Sequence, residues 1–247
     1  MAPAIIGLLL FALGPMLASL FLSFTNFDML TLPTWIGLEN YRQLVSDDLF
    51  LKSLRVTAVY SLVTVPVILV ISFVLALLLN QKIRGMYFFR SVYYLPTVMS
   101  GVAVAMLWRW MFNGEYGLIN TVLDKIGITG PNWFLSEEWA LPALIVTSLW
   151  TFGGTTLIYL AGLQGVPAQL YEAAQVDGAN RLRQHLHITV PMVSHVTFFN
   201  LVMGVIGSLQ VFAEPYVLTR GGPNNATLLL PLYLYRNAFE YLKMGYA

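Results

Sequence analysis

Long apolar stretches set the strongest limit on what this chain can fold into. Of its 247 residues, 57% are hydrophobic and only 10% are charged, whereas a soluble globular protein carries about 25% charged residues. A helix that crosses a bilayer needs about 20 mainly apolar residues. Five stretches reach that length: Pro3–Phe24, Val56–Leu79, Ser91–Phe112, Trp139–Leu163 and Val193–Leu218. The sequence therefore predicts an all-α, polytopic bundle of transmembrane helices, embedded in a lipid bilayer.

The apolar stretches favour helices over a β-barrel, because residues 67–79 are apolar except for Ser72 and do not alternate, whereas barrel strands alternate over about ten residues. Prolines inside or near the spans predict kinks, since neighbouring helices can satisfy the freed carbonyls. These prolines are Pro15, Pro66, Pro96 and Pro142. The chain holds five complete spans, and we expect a sixth to begin at residues 245–247. The intact protein would then have six spans and a polar N-terminal tail.

Composition excludes several classes of function. The net charge is +1 and no basic run is present, so the sequence gives no indication of nucleic-acid binding. The chain has no cysteine, which excludes disulfides and thiolate chemistry. His185 and His187 are two positions apart and would point different ways on a helix, so we predict no metal site there. We also expect no catalytic residue and no bound cofactor.

Basic residues in the short loops predict the orientation. Lys82, Arg84 and Arg90 lie in the loop after the second span, and Arg181 and Arg183 lie in the loop after the fourth. Cytoplasmic loops carry the excess of Lys and Arg. Both loops, and by parity the N-terminus, are therefore expected in the cytoplasm of a multi-pass protein.

The loop 164–191 has the features of a compact docking element. A proline at 167 suits a first helical turn, two alanines favour helix, and Gly178 permits a sharp turn or a close approach. Such an element can sit in a partner's groove and transmit displacement to the next span. An amphipathic helix that lies at the lipid interface, with its arginines near headgroups, is an equal alternative on physical grounds.

The same loop resembles the EAA loop of permease subunits from binding-protein-dependent ABC importers. That pattern is E-A-A, three residues, G, nine residues, I, one residue and L-P. The chain has Glu172, Ala173 and Ala174, then Gly178, then Ile188. Pro191 follows, and Val190 replaces the usual leucine, which is a mild apolar exchange.

Further segments resemble the carbohydrate-uptake branch of this family, of the maltose and glycerol-phosphate type. They are LSFTNFD, GLENYRQL, FFRSVYYLPTVMSGVAVAMLWRWMFNGEYGLIN, VDGAN, YVLTRGGP and LYLYRNAF, so the resemblance covers nearly the whole chain. It implies the type I ABC permease fold, with residues 1–247 as a single transmembrane domain. It also implies a bacterial or archaeal cytoplasmic membrane.

The resemblance implies a set of partners and a function. The chain would pair with a second homologous permease, two cytoplasmic ABC ATPase subunits and an extracytoplasmic solute-binding protein. It would form half of the pathway for a disaccharide, an oligosaccharide or a glycerol-phosphate-like solute. ATP and Mg would be used by the ATPase subunits, and the chain lacks the G-x-x-x-x-G-K-[ST] motif. The residues implied to couple to the ATPase are Glu172, Ala173, Ala174, Asp177, Gly178, Ile188 and Pro191.

Polar residues within the spans indicate where a solute could pass, because charge in lipid costs about 3 kcal/mol at mid-span. Glu214 stands four residues after Gln210, so we expect both on one helical face of the fifth span, which also holds Asn200 and Ser208. These residues, with Trp150 for stacking on a sugar ring, are the candidate pathway residues. Glu214 at a wetted span end, Trp150 in helix packing and Arg109 as an interfacial anchor are the alternatives.

Three other functions remain open from the sequence. An ABC permease for a non-sugar solute fits the same coupling loop. An ion-coupled secondary carrier would need buried carboxylates or a repeated broken helix pair, and the sequence has one intramembrane acid and no convincing inverted repeat. A membrane enzyme would need a cluster of His or acidic residues, and none is evident.

Overall fold

A computed structural model of the chain describes residues 2–81 and 84–247; Lys82, one base of the second loop, lies outside the described residues. The described residues are mostly helical. The α-helices are α1 (Ala2–Leu8), α2 (Gly14–Leu22), α3 (Glu39–Ser46), α4 (Asp48–Leu79), α5 (Met86–Val98), α6 (Gly101–Met111), α7 (Leu118–Lys125), α8 (Ala140–Ser148), α9 (Gly153–Gln164), α10 (Ala168–Val176), α11 (Arg181–Gln184), α12 (Val190–Met192), α13 (Ser194–Leu209), α14 (Ala213–Leu218) and α15 (Leu230–Tyr235).

Shorter segments link these helices. Turns of π-helix and 3₁₀-helix continue several of them, at Leu9–Leu13, His185–Thr189 and Arg236–Glu240 for the π turns and at Trp133–Leu135 and Leu149–Thr151 for the 3₁₀ turns. Two short antiparallel strands, β1 (Thr25–Asn26) and β2 (Thr34–Trp35), pair Thr25 with Trp35 and Asn26 with Thr34.

Three helical stretches of the described residues are long and apolar enough to cross a membrane: Pro3–Leu22, Asp48–Leu79 and Ser194–Leu218. Two bent pairs, α5 with α6 and α8 with α9, raise the number to five if each pair is one span. The predicted helical membrane bundle is therefore confirmed, with its segments close to the predicted positions.

The helix of the second predicted span, α4, begins eight residues before the apolar stretch that predicted it. α4 starts at Asp48 and includes Lys52 and Arg55 before its hydrophobic part. Hydropathy reports only the lipid-facing length of a helix, whereas backbone hydrogen bonds can continue into water.

The bends do not all fall where the prolines predict kinks. α5 and α6 meet at 95° three residues after Pro96. α8 and α9 meet at 46° beside Gly153, eleven residues after Pro142, while α4 is helical through Pro66. The carbonyl of Phe152 at the second bend accepts hydrogen bonds from the amide of Thr156 (3.0 Å) and from the hydroxyls of Thr156 (2.9 Å) and Ser72 (3.2 Å).

The chain forms two compact units. The first comprises residues 1–56 and 228–247. In it, the amide of Asn40 donates to the carbonyls of Ser23 (2.8 Å) and Thr25 (3.0 Å), and the ring of Phe24 stacks on Trp35 with centroids 5.4 Å apart. The amide of Gly245 donates to the carbonyl of Phe27 at 2.9 Å, so this unit joins segments from both ends of the sequence.

The second unit comprises residues 57–227. Its main apolar cluster joins the last turns of α4 to α9 and to the start of α13. The buried members are Ala76, Leu79, Tyr159, Leu160, Leu163, Val193 and Val196. Gly162 permits the closest approach in this cluster, because a Cβ there would lie 2.7 Å from Cγ2 of Val196.

Candidate functional site

The loop that carries the E-A-A pattern ends its first helix in a Schellman motif. Gly178 has φ +74°, a value that favours glycine. The amide of Ala179 donates to the carbonyl of Ala174 (2.8 Å), and the amide of Gly178 donates to that of Gln175 (3.1 Å). Both bonds satisfy carbonyls at the end of α10. Gly178 therefore provides a defined turn between two helices.

Side-chain hydrogen bonds hold the second part of the loop. The Asn180 carboxamide oxygen accepts from the amide of Arg183 at 2.9 Å and caps α11. The amide of Gln184, a buried residue, donates to the carbonyl of Ala179 at 2.9 Å. The hydroxyls of Tyr171 on α10 and Thr189 share a hydrogen bond of 2.9 Å. Because α10 is bonded directly to the segment that enters α12, the loop is one braced element.

The predicted coupling residues lie mostly on the surface of this element. Glu172, Ala173, Asp177, Gly178 and Pro191 are exposed. Ala174 and Ile188 are half-buried. Val176, the last residue of α10, is 89% exposed.

The charges of the loop form no ion pair among the described residues. Ion pairs found elsewhere in the described part of the chain include Arg42 with Glu39 and Arg236 with Glu240. Neither involves the acids or bases of residues 172–183. The exposed side chain of Val176 therefore lies beside an acid, Asp177, that has no ion-pair partner among the described residues.

A cavity of about 280 Å³ lies among α4, α9 and α13. Its polar lining includes Tyr60, Asn200, Ser208 and Glu214. Ser208 shares a hydrogen bond of 2.6 Å with Ser61. Asn200 is only 4% exposed, and its amide nitrogen has no hydrogen-bond partner among the described residues. A buried donor without a partner costs free energy unless water or a ligand satisfies it, so this amide is available to a cavity occupant.

A second cavity, of about 90 Å³, shares Glu214 with the first. Trp150 and Trp108 line it, with their rings 5.8 Å apart in an edge-to-face arrangement. The indole nitrogen of Trp108 is buried without a hydrogen-bond partner in the described part of the chain. Sequence reasoning missed Trp108 and Tyr60 as lining residues, because aromatic residues in a span are typical of packing and of interfacial anchoring.

The predicted pathway residues are therefore brought together in part. Asn200, Ser208 and Glu214 line one cavity, and Trp150 lines the cavity beside it. Gln210 lines neither cavity; α13 ends at Leu209, and α14 begins at Ala213. The expectation that Gln210 and Glu214 share one continuous helical face is wrong, because the helix is interrupted between them.

Arg109, the expected interfacial anchor, lies near a backbone group of another helix. Its guanidinium is 3.5 Å from the carbonyl of Val217. The two histidines of the loop make separate contacts: His185 with the hydroxyl of Thr189 (3.2 Å) and His187 with the carbonyl of Arg183 (3.1 Å). Within residues 2–81 and 84–247, no group of three His, Asp or Glu side chains is placed to hold a metal ion.

Comparison with known proteins gives consistent matches. Residues 68–244 match the family described as "Binding-protein-dependent transport system inner membrane component". The chain is 44% identical to a probable ABC transporter permease protein, YesP, of Bacillus subtilis, over 100% of this chain and 81% of that protein. It is 36% identical to the lactose transport system permease protein LacF of Rhizobium radiobacter, over 98% of this chain and 82% of the relative.

A solved structure has the same fold. It is a chain of a bacterial alginate ABC transporter in complex with an alginate pentasaccharide-bound periplasmic protein, with a TM-score of 0.86 and 25% identity over 99% of this chain and 83% of that chain. ABC permeases are transport components rather than enzymes, which confirms the predicted transport subunit. The sequence match and the shared fold assign the chain to the family of binding-protein-dependent transport system inner membrane components.

Proposed function

We propose that the chain is one of two permease subunits in an ATP-driven importer that takes up a sugar delivered by a solute-binding protein. The relative from Rhizobium radiobacter is named for lactose, and the similar solved structure belongs to an alginate importer. These names support a disaccharide or oligosaccharide as the solute. A glycerol-phosphate-like or other non-sugar solute is the alternative, since the coupling loop is compatible with any cargo.

The observation that carries the coupling role is the braced loop with uncompensated charge. Glu172 and Asp177 are exposed, and no ion pair between described residues involves them. In the proposed complex, Glu172 faces a basic group of an ATPase subunit. Ala173 and Ala174 allow close packing, and Val176, which is 89% exposed, is covered by the partner.

A hydrogen bond and apolar packing connect the loop to the membrane helices. The hydrogen bond between Tyr171 and Thr189 joins α10 to the segment before α12. Val193 and Val196 then pack in the apolar cluster with α4 and α9. A push on α10 therefore moves the start of α13 instead of being absorbed in a flexible linker, and in this complex Ile188 and Pro191 transmit that movement.

The two cavities are the proposed pathway lining of this half of the importer. Asn200, Ser208 and Glu214 offer hydrogen bonds to sugar hydroxyls, and Trp150 offers an aromatic face. Unpartnered donors at Asn200 and Trp108 support this role. We leave Gln210 out of the lining because it contacts neither cavity.

The remaining subunits complete the proposed importer. A second, homologous permease supplies the other half of the pathway, and two ATPase subunits bind ATP and Mg on the cytoplasmic side. The N-terminus and loop 164–191 lie in the cytoplasm, in agreement with the basic residues of the loops. Residues 113–138 and 220–247 face the solute-binding protein on the other side.

Copurification from detergent tests the coupling role. A tagged chain with Glu172→Lys is expected to lose most of the ATPase subunit that the unchanged chain recovers, because the substitution places like charges in the interface. Glu138→Lys makes the same charge change at another exposed acid and is expected to recover a normal amount. Both variants should insert into the membrane normally. Unchanged recovery with Glu172→Lys would contradict the assigned role of the loop.

A further inference from the structure

A cavity in the second unit lies beside the coupling loop, not along the proposed pathway. Its volume is about 930 Å³. It opens where two membrane helices end, at Leu79 for α4 and at Gln164 for α9. Lipid headgroups occupy the depth at which spans end, above the hydrocarbon core of about 30 Å. The cavity is therefore at the level of the headgroups.

One part of the cavity lining is apolar and comes from a membrane helix. Val74, Leu77 and Leu78 come from the last turns of α4. Val74 and Leu78 are about half exposed, so that the α4 part of the wall is open to an occupant. A site with such a wall favours an occupant with an acyl chain over one that is polar throughout.

The opposite wall is polar and basic. Arg181 and His185 line it from the coupling loop, and the carboxamides of Asn80 and Gln81, directly after α4, border the apolar part of the lining. No Asp or Glu is among the lining residues. The Arg181 guanidinium has no ion-pair partner among the described residues. A guanidinium with amide donors and without an opposing acid is the donor set that binds a phosphate diester.

We propose that this cavity binds one anionic glycerophospholipid, with its phosphate at Arg181 and His185 and an acyl chain along Val74, Leu77 and Leu78. Basic pockets between transmembrane helices on the cytoplasmic side are suited to acidic headgroups. The bound lipid contacts α4 and the coupling loop at once, and so it stabilises the loop against the ends of the spans. This inference does not depend on ATPase docking, because it is tested by lipid binding alone.

Native mass spectrometry of the purified importer, transferred from nanodiscs of phosphatidylcholine with or without phosphatidylglycerol, measures the binding. We expect one phosphatidylglycerol to be retained in preference to phosphatidylcholine. Arg181→Gln should lower its occupancy about fivefold, the factor for roughly 1 kcal/mol from one basic side chain near an acidic headgroup. Equal retention of the two lipids by the unchanged chain would overturn the proposal.

Arg183→Gln is the matched control. Arg183 is an exposed arginine on the same short helix and is absent from the cavity lining. It should leave phosphatidylglycerol retention unchanged. If the two arginine variants lower retention equally, the lipid is held by a general basic surface and the specific site is refuted.

Substitutions in the apolar part of the lining distinguish a bound lipid from a bound free phosphate compound. Leu78→Ser should weaken retention of phosphatidylglycerol, whereas Val70→Ser, at an exposed position of α4 outside the cavity, should not. Soluble glycerol 1-phosphate should fail to displace the lipid at equal concentration. Displacement by glycerol 1-phosphate, with no effect of Leu78→Ser, would assign the site to a free phosphate compound and overturn the lipid proposal.

Discussion

The hydroxyl of Tyr233 donates a hydrogen bond of 2.6 Å to Oδ2 of Asp47, a residue 186 positions earlier in the chain. Tyr246 donates to the same oxygen at 2.9 Å. The other carboxylate oxygen accepts from the amides of Leu49 and Phe50 and thereby caps α4. One carboxylate therefore joins the C-terminal segment to the start of a membrane helix.

Removing this carboxylate should destabilise the first unit. We expect Asp47→Ala to cost about 1–3 kcal/mol, from the lost cap and the lost charge-assisted hydrogen bonds. The apparent melting temperature in detergent should fall accordingly. Asp48→Ala is the control, because Asp48 is the exposed neighbour and makes none of these hydrogen bonds; an equal fall in both variants would refute the role of Asp47.

The same cluster predicts a pH dependence. Burial raises the pKa of Asp47, but the hydrogen bonds from Tyr233, Tyr246 and the two amides outweigh it and lower the pKa below 3.8. The stabilisation is thus present above about pH 4 and is lost as the pH falls through the lowered pKa. Burial and the bond to Asp47 raise the pKa of Tyr233 above 10.0, so its contribution is present below about pH 10 and is lost at higher pH.

A melting curve measured across pH tests this dependence. The difference in melting temperature between the unchanged chain and Asp47→Ala should be constant from about pH 5 to 9 and should shrink at both extremes. A difference that changes steadily through neutral pH would show that another group is responsible.

Gly162 should be the least replaceable glycine of the apolar cluster. A Cβ there would lie 2.7 Å from Cγ2 of Val196, and such overpacking costs about 1–3 kcal/mol. We expect Gly162→Ala to lower the melting temperature and Val196→Ala to restore part of the loss. Gly154→Ala is the control, because its Cβ would meet Thr97 at an ordinary 3.7 Å. A Gly162→Ala protein as stable as the Gly154→Ala protein would show that the helices can separate without cost.

A substitution of Asn200 should reduce transport without reducing stability. Because its amide nitrogen is buried without a partner, Asn200→Leu should leave the melting temperature unchanged or raise it, yet reduce uptake of the sugar. Ser72→Ala should lower the melting temperature, since it removes a hydrogen bond of 3.2 Å to Phe152. It should leave uptake of the sugar unchanged, since the cavity lining stays intact. Normal uptake by Asn200→Leu would remove this residue from the pathway.

Gly178 should be required for its backbone conformation. Its φ of +74° and the open space around its Cα mean that Ala would be strained, by about 1 kcal/mol, without meeting any atom of the chain. We expect Gly178→Ala to weaken ATPase recovery several-fold and Gly178→Asn to weaken it less, because Asn tolerates this conformation better. Gly127→Ala, at another exposed positive-φ glycine (φ +78°), should have no effect on recovery. Equal recovery with Gly178→Ala would show that the turn can relax.

The positions of the apolar helical stretches and of the glycine turn in loop 164–191 could be predicted from the sequence, because both depend on local patterns. Apolar runs of sufficient length identify spans, and the glycine at 178 corresponds to the observed left-handed turn. The bends were less predictable. Hydropathy is the same for a straight and a bent helix. A long-range contact at the second bend, the hydrogen bond from Ser72 to the carbonyl of Phe152 80 positions later, is not visible in a local pattern.

The cavity linings were only partly predictable for a related reason. Asn200 and Glu214 are conspicuous as polar residues in an apolar stretch. Trp108 and Tyr60 are not, because their lining role follows from which helices meet around them. The interruption after Leu209, which takes Gln210 out of the lining, also gives no proline or glycine signal at its centre.

The right-angle break between α5 and α6 has a consequence for solvation. The last carbonyls of one helix and the first amides of the next lack intrahelical partners, and such groups are not tolerated against hydrocarbon. Met99 and Gly101, on either side of the break, border the smaller cavity. We therefore expect water to reach this break, and in the proposed importer a migrating solute would exchange its water shell there for main-chain dipoles.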